Sequence, residues 1–142
     1  MPIAPERLEA IRGNAELVVR ELAHARGTDF GYDKDSVAYL EAFIERQRAQ
    51  DPETAAGLVG VLGCYLGEAI IAAVPSAGWE EDEDGALAII FANRDMAYPF
   101  NKVEKQIAEG LEDGESILSF YDVCINYVAA GKLGEAASEE AP

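Results

Sequence analysis

The 142-residue sequence predicts an α+β domain. Its helices pack around a central buried helix, about residues 55–74, with a small antiparallel sheet of about three strands, about residues 79–100. Three observations lead there. Apolar residues recur at steps of three and four over the first third of the chain and again near its end, the period of one-sided helices. Residues 55–74, AAGLVGVLGCYLGEAIIAAV, are uncharged at every position but Glu68. After Ser76 the period shortens, and short apolar runs alternate with turn residues.

Residues 1–134 are read as one domain, since about 100–200 residues is the usual domain length. The last eight residues, EAASEEAP, hold no aliphatic side chain larger than Ala. They are read as a disordered acidic tail, 135–142.

The first helix is expected from Pro5 to Arg26, with Leu8, Ile11, Ala15, Val18 and Leu22 on one stripe. Pro5 suits the first turn and Gly27 the stop. A second helix begins near Asp33 or Asp35, either of which can cap it, and buries Val37, Leu40 and Ile44 with Phe43 beside them. Asp51-Pro52-Glu53 then restarts a helix: cap, first-turn proline, and an acid at the positive end of the dipole.

The 55–74 segment has the length of a membrane span. The span is rejected because a carboxylate at Glu68 is expensive in lipid and because Asp51, Glu53, Glu80 and Glu81 give the flanks no positive side. A helix apolar all round is buried, and the one-sided stripes of the other helices can cover it. Gly60, Gly63 and Gly67 fall within one third of its circumference, with Gly57 at the edge. Each costs about 1 kcal/mol against Ala, so another backbone is expected to approach closely along them. Pro75 ends the helix.

Strands are expected at Trp79–Glu81, at residues 86–92 and at residues 96–100. The turns are EDEDG (81–85), with its Asp-Gly step, and Asn93-Arg94-Asp95. Pro99 places the end of the third strand at an edge or at the sheet's exit. Asn101 is expected to cap a helix over 102–110, burying Val103 and Ile107. Ser116 opens or lies within a last helix to about Ala130, with Ile117, Tyr121, Cys124 and Val128 inward and Gly131 as its stop.

The pattern Gly63-x-Tyr65-Leu66-Gly67-Glu68, then Trp79, then Pro99 with Lys102 and Lys105, resembles small bacterial domains of unknown function. Those carry a G-x-Y-L-G-E helix, a Trp strand and a strand-end Pro followed by basic residues. The resemblance covers about residues 55–125, not residues 1–50, and implies an α+β fold without an assigned chemistry.

Lys plus Arg is 11 and Asp plus Glu is 27, a net charge of −16. Residues 1–50 carry 7 basic and 9 acidic side chains; residues 51–142 carry 4 and 18. Such an anion is repelled by nucleic acid and by anionic membrane, so neither is expected as partner. The N-terminus, MPIAPERLEA, lacks the basic and apolar regions of a secretory signal, so a cytoplasmic location is expected. No cofactor is expected. Cys64, Cys124 and the lone His24 are too few soft ligands for a structural zinc site. The run Glu80 to Asp84 lacks calcium-loop spacing and reads as a solvated hairpin tip. Nucleophile elbows and phosphate-binding glycine loops are missing, so no catalytic residue is assigned and an enzyme is not expected.

The residues singled out are Glu68, Trp79, Lys102 and Lys105. A carboxylate in an apolar helix needs a partner. Lys102, Lys105 or Arg94 can pair with it and fix the sheet to the helix; alternatively Glu68 floors a pocket beside Trp79. Trp79 is read as covering the core edge with its N–H satisfied, or as a ligand or partner anchor. The leading functional expectation is a non-catalytic interaction module, comparable in size and charge to inhibitor and immunity proteins, whose acidic surface meets a basic protein. The alternative is a small-molecule site around Glu68, Trp79 and Lys105. Spare apolar stripes also allow a homodimer.

Overall fold

The computed structural model describes residues 2–27 and 29–128, with only the backbone of 127 and 128. The fold is α+β. Helix α1 spans Pro5–Arg26 with Pro5 in its first turn, and Gly27 closes it at φ 73°, its N–H returning to Ala23 O. Ile11, Ala15, Val18 and Leu22 form its buried stripe, as the spacing predicts. Helix α2 spans Lys34–Gln50; Asp33, not Asp35, caps it by accepting from the Ser36 N–H at 2.8 Å.

The apolar segment is two helices rather than one. Asp51 caps a short α3, Pro52–Ala56, and α4 then runs from Val59 to Ala73. Between them the ladder tightens, the Gly57 N–H reaching both Glu53 O and Thr54 O and the Leu58 N–H reaching Ala55 O. A glycine beside two alanines offers little side-chain packing to hold a regular turn there. Among the described residues no helix is long and apolar enough to cross a membrane. Burial on all sides is confined to the middle of α4, where Leu62, Tyr65, Leu66, Ala69 and Ile70 are core residues.

Helix α4 packs mainly on α1 and on α5, which spans Pro99–Glu109. Its glycines do not admit another backbone, as the stripe predicts, but aromatic rings. A Cβ on Gly63 would lie 2.2 Å from Phe100 Cδ1, and one on Gly67 would lie 2.1 Å from Trp79 Cζ2. Gly60 faces open space. A ring edge needs the missing methyl as much as a main chain does, so spacing alone does not tell the two apart.

The sheet is a meander, β1 (Gly78–Glu81), β2 (Leu87–Ile90) and β3 (Met96–Ala97), in the order β1-β2-β3. Trp79 pairs with Ile89, and Ile89 with Ala97. The third strand is two residues long because Pro99 opens α5 instead of ending a strand. Tyr98, not Asn101, takes the cap position, and the Lys102 N–H bonds back to Tyr98 O. A proline's fixed φ suits a helix's first turn as readily as a sheet's exit.

After α5 a 3₁₀ turn, Leu111–Asp113, leads to α6, Ile117–Val123, capped by Ser116. A π-helical turn, Cys124–Val128, continues it. The expected stop at Gly131 and the tail 135–142 lie outside the described residues.

Candidate functional site

Glu68 and Trp79 meet. The Trp79 indole N–H donates to Glu68 Oε2 at 2.8 Å, tying β1 to α4. The cation beside Glu68 is Arg12 on α1, whose Nε stands 3.8 Å from Oε1. The expected pairing with Lys102, Lys105 or Arg94 is therefore replaced by a contact to a helix more than fifty residues earlier. Arg12 is 59% exposed, which makes the ion pair worth about 0–1 kcal/mol. The indole bond is the larger restraint, since Trp79 is buried and its N–H would otherwise be unsatisfied. Trp79 thus covers the core edge, its ring lying on Gly67 and 5.7 Å from the Phe100 ring.

The two lysines stand elsewhere. Lys102 Nζ bonds to Glu115 Oε2 at 2.6 Å. That bond, with both lysine charges, holds the Glu115 carboxyl below the usual range. Lys105 is exposed on α5. Both line a groove of ≈ 400 Å³ between β3, α5 and α6, walled by Met96, Tyr98, Phe120 and Val123. Neither Glu68 nor Trp79 is among the residues that line this groove.

A second, open concavity of ≈ 700 Å³ lies at the hairpin end of the sheet. Glu81, Asp82, Glu83 and Asp84 line it with Arg94, Met96 and Tyr98. These acids have different work. Glu81 pairs with Arg7 on α1. Asp82 builds the turn: its Oδ1 accepts from the N–H groups of Asp84 and Ala86, both at 2.9 Å, and the Tyr98 hydroxyl donates to Oδ2 at 3.0 Å. The Ala86 N–H, with the Tyr98 hydroxyl, lowers the Asp82 carboxyl, and Asp82 in turn raises the Tyr98 phenol. Glu83 and Asp84 project into water at the rim. Met96 and Tyr98 belong to both depressions, so the acid-lined concavity and the groove form one surface.

Cys64 and Cys124 are free and buried. Burial raises the Cys64 thiol, and it pushes Cys124 up to about 12, so both are poor nucleophiles at neutral pH. His24 is exposed in the last turn of α1. Tyr65 belongs to the motif read from the sequence, but its partners lie far from it in the chain. It is fully buried, donates to Gly31 O at 2.6 Å and stacks on Tyr32.

The shape that emerges is a helical domain closed on one side by a small meander. A model for a family of unknown function (DUF6278) matches residues 4–98. The chain belongs to that family. The match takes in residues 4–50, which the resemblance on motifs does not cover, and stops at Tyr98, before Lys102 and Lys105. Comparison with curated proteins finds no match, and comparison with solved structures finds none.

Proposed function

We propose that this chain is a non-catalytic protein-interaction module of the cytoplasm that takes a basic segment of a partner protein at its acid-lined concavity, an inhibitor-like role. One observation carries the reading: four carboxylates, Glu81 to Asp84, line one open depression against a single cation, Arg94, with Met96 and Tyr98 as its apolar part. A lysine or arginine side chain laid there has carboxylates for its charge and apolar surface for its stem. The field of a net −16 chain draws such a partner in at long range. Two buried, unpaired cysteines suit a reducing compartment.

The probe is a lysine-rich synthetic peptide titrated into the labelled protein at low and high salt. Amide shifts are expected at residues 82–84, 96 and 98, with affinity falling as salt rises. The double variant Glu83→Lys/Asp84→Lys is expected to weaken binding about tenfold, whereas Glu6→Lys/Glu9→Lys, of equal net charge, weakens it less than about twofold. Equal losses in the two variants, or binding indifferent to salt, overturn the reading.

A further inference from the structure

Resting on that reading, we infer that the partner segment is bipolar: a basic end over Glu83 and Asp84, an apolar residue in the groove, and an acidic end on Lys105. The acid-lined concavity does not stop at Met96 and Tyr98. Those two residues are also the near wall of the groove, whose far wall is Phe120 and Val123 on α6. Met96 and Val123 are 36% and 39% exposed, among the few large apolar side chains left in water. Beyond them the charge changes sign. The groove's lining holds two cations, Lys102 and Lys105, and no carboxylate; Lys102 is bonded to Glu115, which the Lys105 charge also reaches. Lys105 is the exposed cation of that rim.

A carboxylate-rich end that also holds Arg94, an apolar saddle and a cation therefore follow one another along one surface. A uniformly basic segment satisfies the first part and is repelled by the last. A segment with lysines at one end, a leucine-like residue in the middle and carboxylates at the other satisfies all three, and it has only one orientation in which it does so. The far wall also lies where α6 widens into its π-helical turn at Cys124, a distortion that recurs at functional sites.

Three synthetic peptides of one length test this: a lysine block, leucines and a glutamate block in that order; the same residues scrambled; and an all-lysine peptide. The ordered peptide is expected to shift the amides of Asp84, Met96, Lys105 and Val123 together and to bind about tenfold more tightly than the scrambled one. Lys105→Glu is expected to abolish that preference, and replacing the peptide's glutamates by lysines is expected to rescue binding to Lys105→Glu. Val123→Ser is expected to weaken the ordered peptide alone. If the ordered and scrambled peptides bind alike and shifts stay at residues 82–84, the bipolar inference fails and the acidic docking site stands. If no peptide shifts residues 82–84, both fail.

Discussion

Trp79 and Glu68 hold the sheet against the central helix through one hydrogen bond and one close ring contact. Each can be removed separately. Glu68→Gln keeps an acceptor for the indole N–H and is expected to cost less than about 1 kcal/mol, while Glu68→Leu strands that donor and is expected to cost about 2 kcal/mol. Urea denaturation measures both, and Trp79, the sole tryptophan of the chain, reports the loss by its fluorescence. The glycines divide the same way. Gly67→Ala drives a methyl into the Trp79 ring and is expected to cost about 1–3 kcal/mol, despite the gain in helix propensity. Gly60→Ala meets open space and is expected to stabilise by up to about 1 kcal/mol. Equal effects at the two positions would mean that the ring contact does not hold in solution.

Among the elements, α2 is the clamp. Arg48 donates to Ile107 O and Ala108 O at the end of α5, Glu45 accepts from the Leu111 N–H, and Glu41 accepts from the Ser116 hydroxyl and the Leu118 N–H at the start of α6. Gln106 sits inside this arrangement, fully buried, donating to Glu45 and accepting the Ile117 N–H at 2.8 Å. Gln106→Leu keeps the volume and orphans that N–H; a loss of about 1–3 kcal/mol is expected, measured as a lower urea midpoint. Helix boundaries were legible where one residue decides them: Asp33, Asp51-Pro52, Ser116 and Gly27 all act as their chemistry predicts. The break at Gly57–Leu58 was not, because a run of small residues carries no stop signal. Nor was the clamp, whose partners are separated by 59 to 77 residues. On helix α2 alone, Glu41, Glu45 and Arg48 read as a solvated face.

For the molecule as a whole, several carboxylates are held below their ordinary range by bonds made only in the fold. The Ser36 N–H does this for Asp33, the Thr54 hydroxyl for Asp51, the Ala86 N–H for Asp82 and the Lys102 ammonium for Glu115. A lowered folded-state pKa contributes stability that is fully present above the unfolded value of about 4 and is lost as pH falls through the folded value. Asp82→Asn is therefore expected to be less stable than wild type at pH 7 and to converge with it toward pH 3, as read by thermal unfolding across that range. A constant difference would place the effect of Asp82 in packing rather than charge. At this scale the sequence located the solvated acidic tip, but not the joining of the two depressions. Whether Lys105 faces Glu68 or Phe120 depends on how α5 leaves the sheet, and that turns on Pro99 beginning a helix.

The notches at Gly63 and Gly67 are filled by residues that come later in the chain. The rings that fill them, Phe100 and Trp79, leave the ribosome after the helix they complete. A nascent chain that ends at Val74 holds the residues of α1 to α4 but neither ring nor the sheet that packs on them. Truncation before Trp79 is therefore expected to leave apolar surface open and to lower the yield of soluble protein, measured by expression of residues 1–74 beside the full chain.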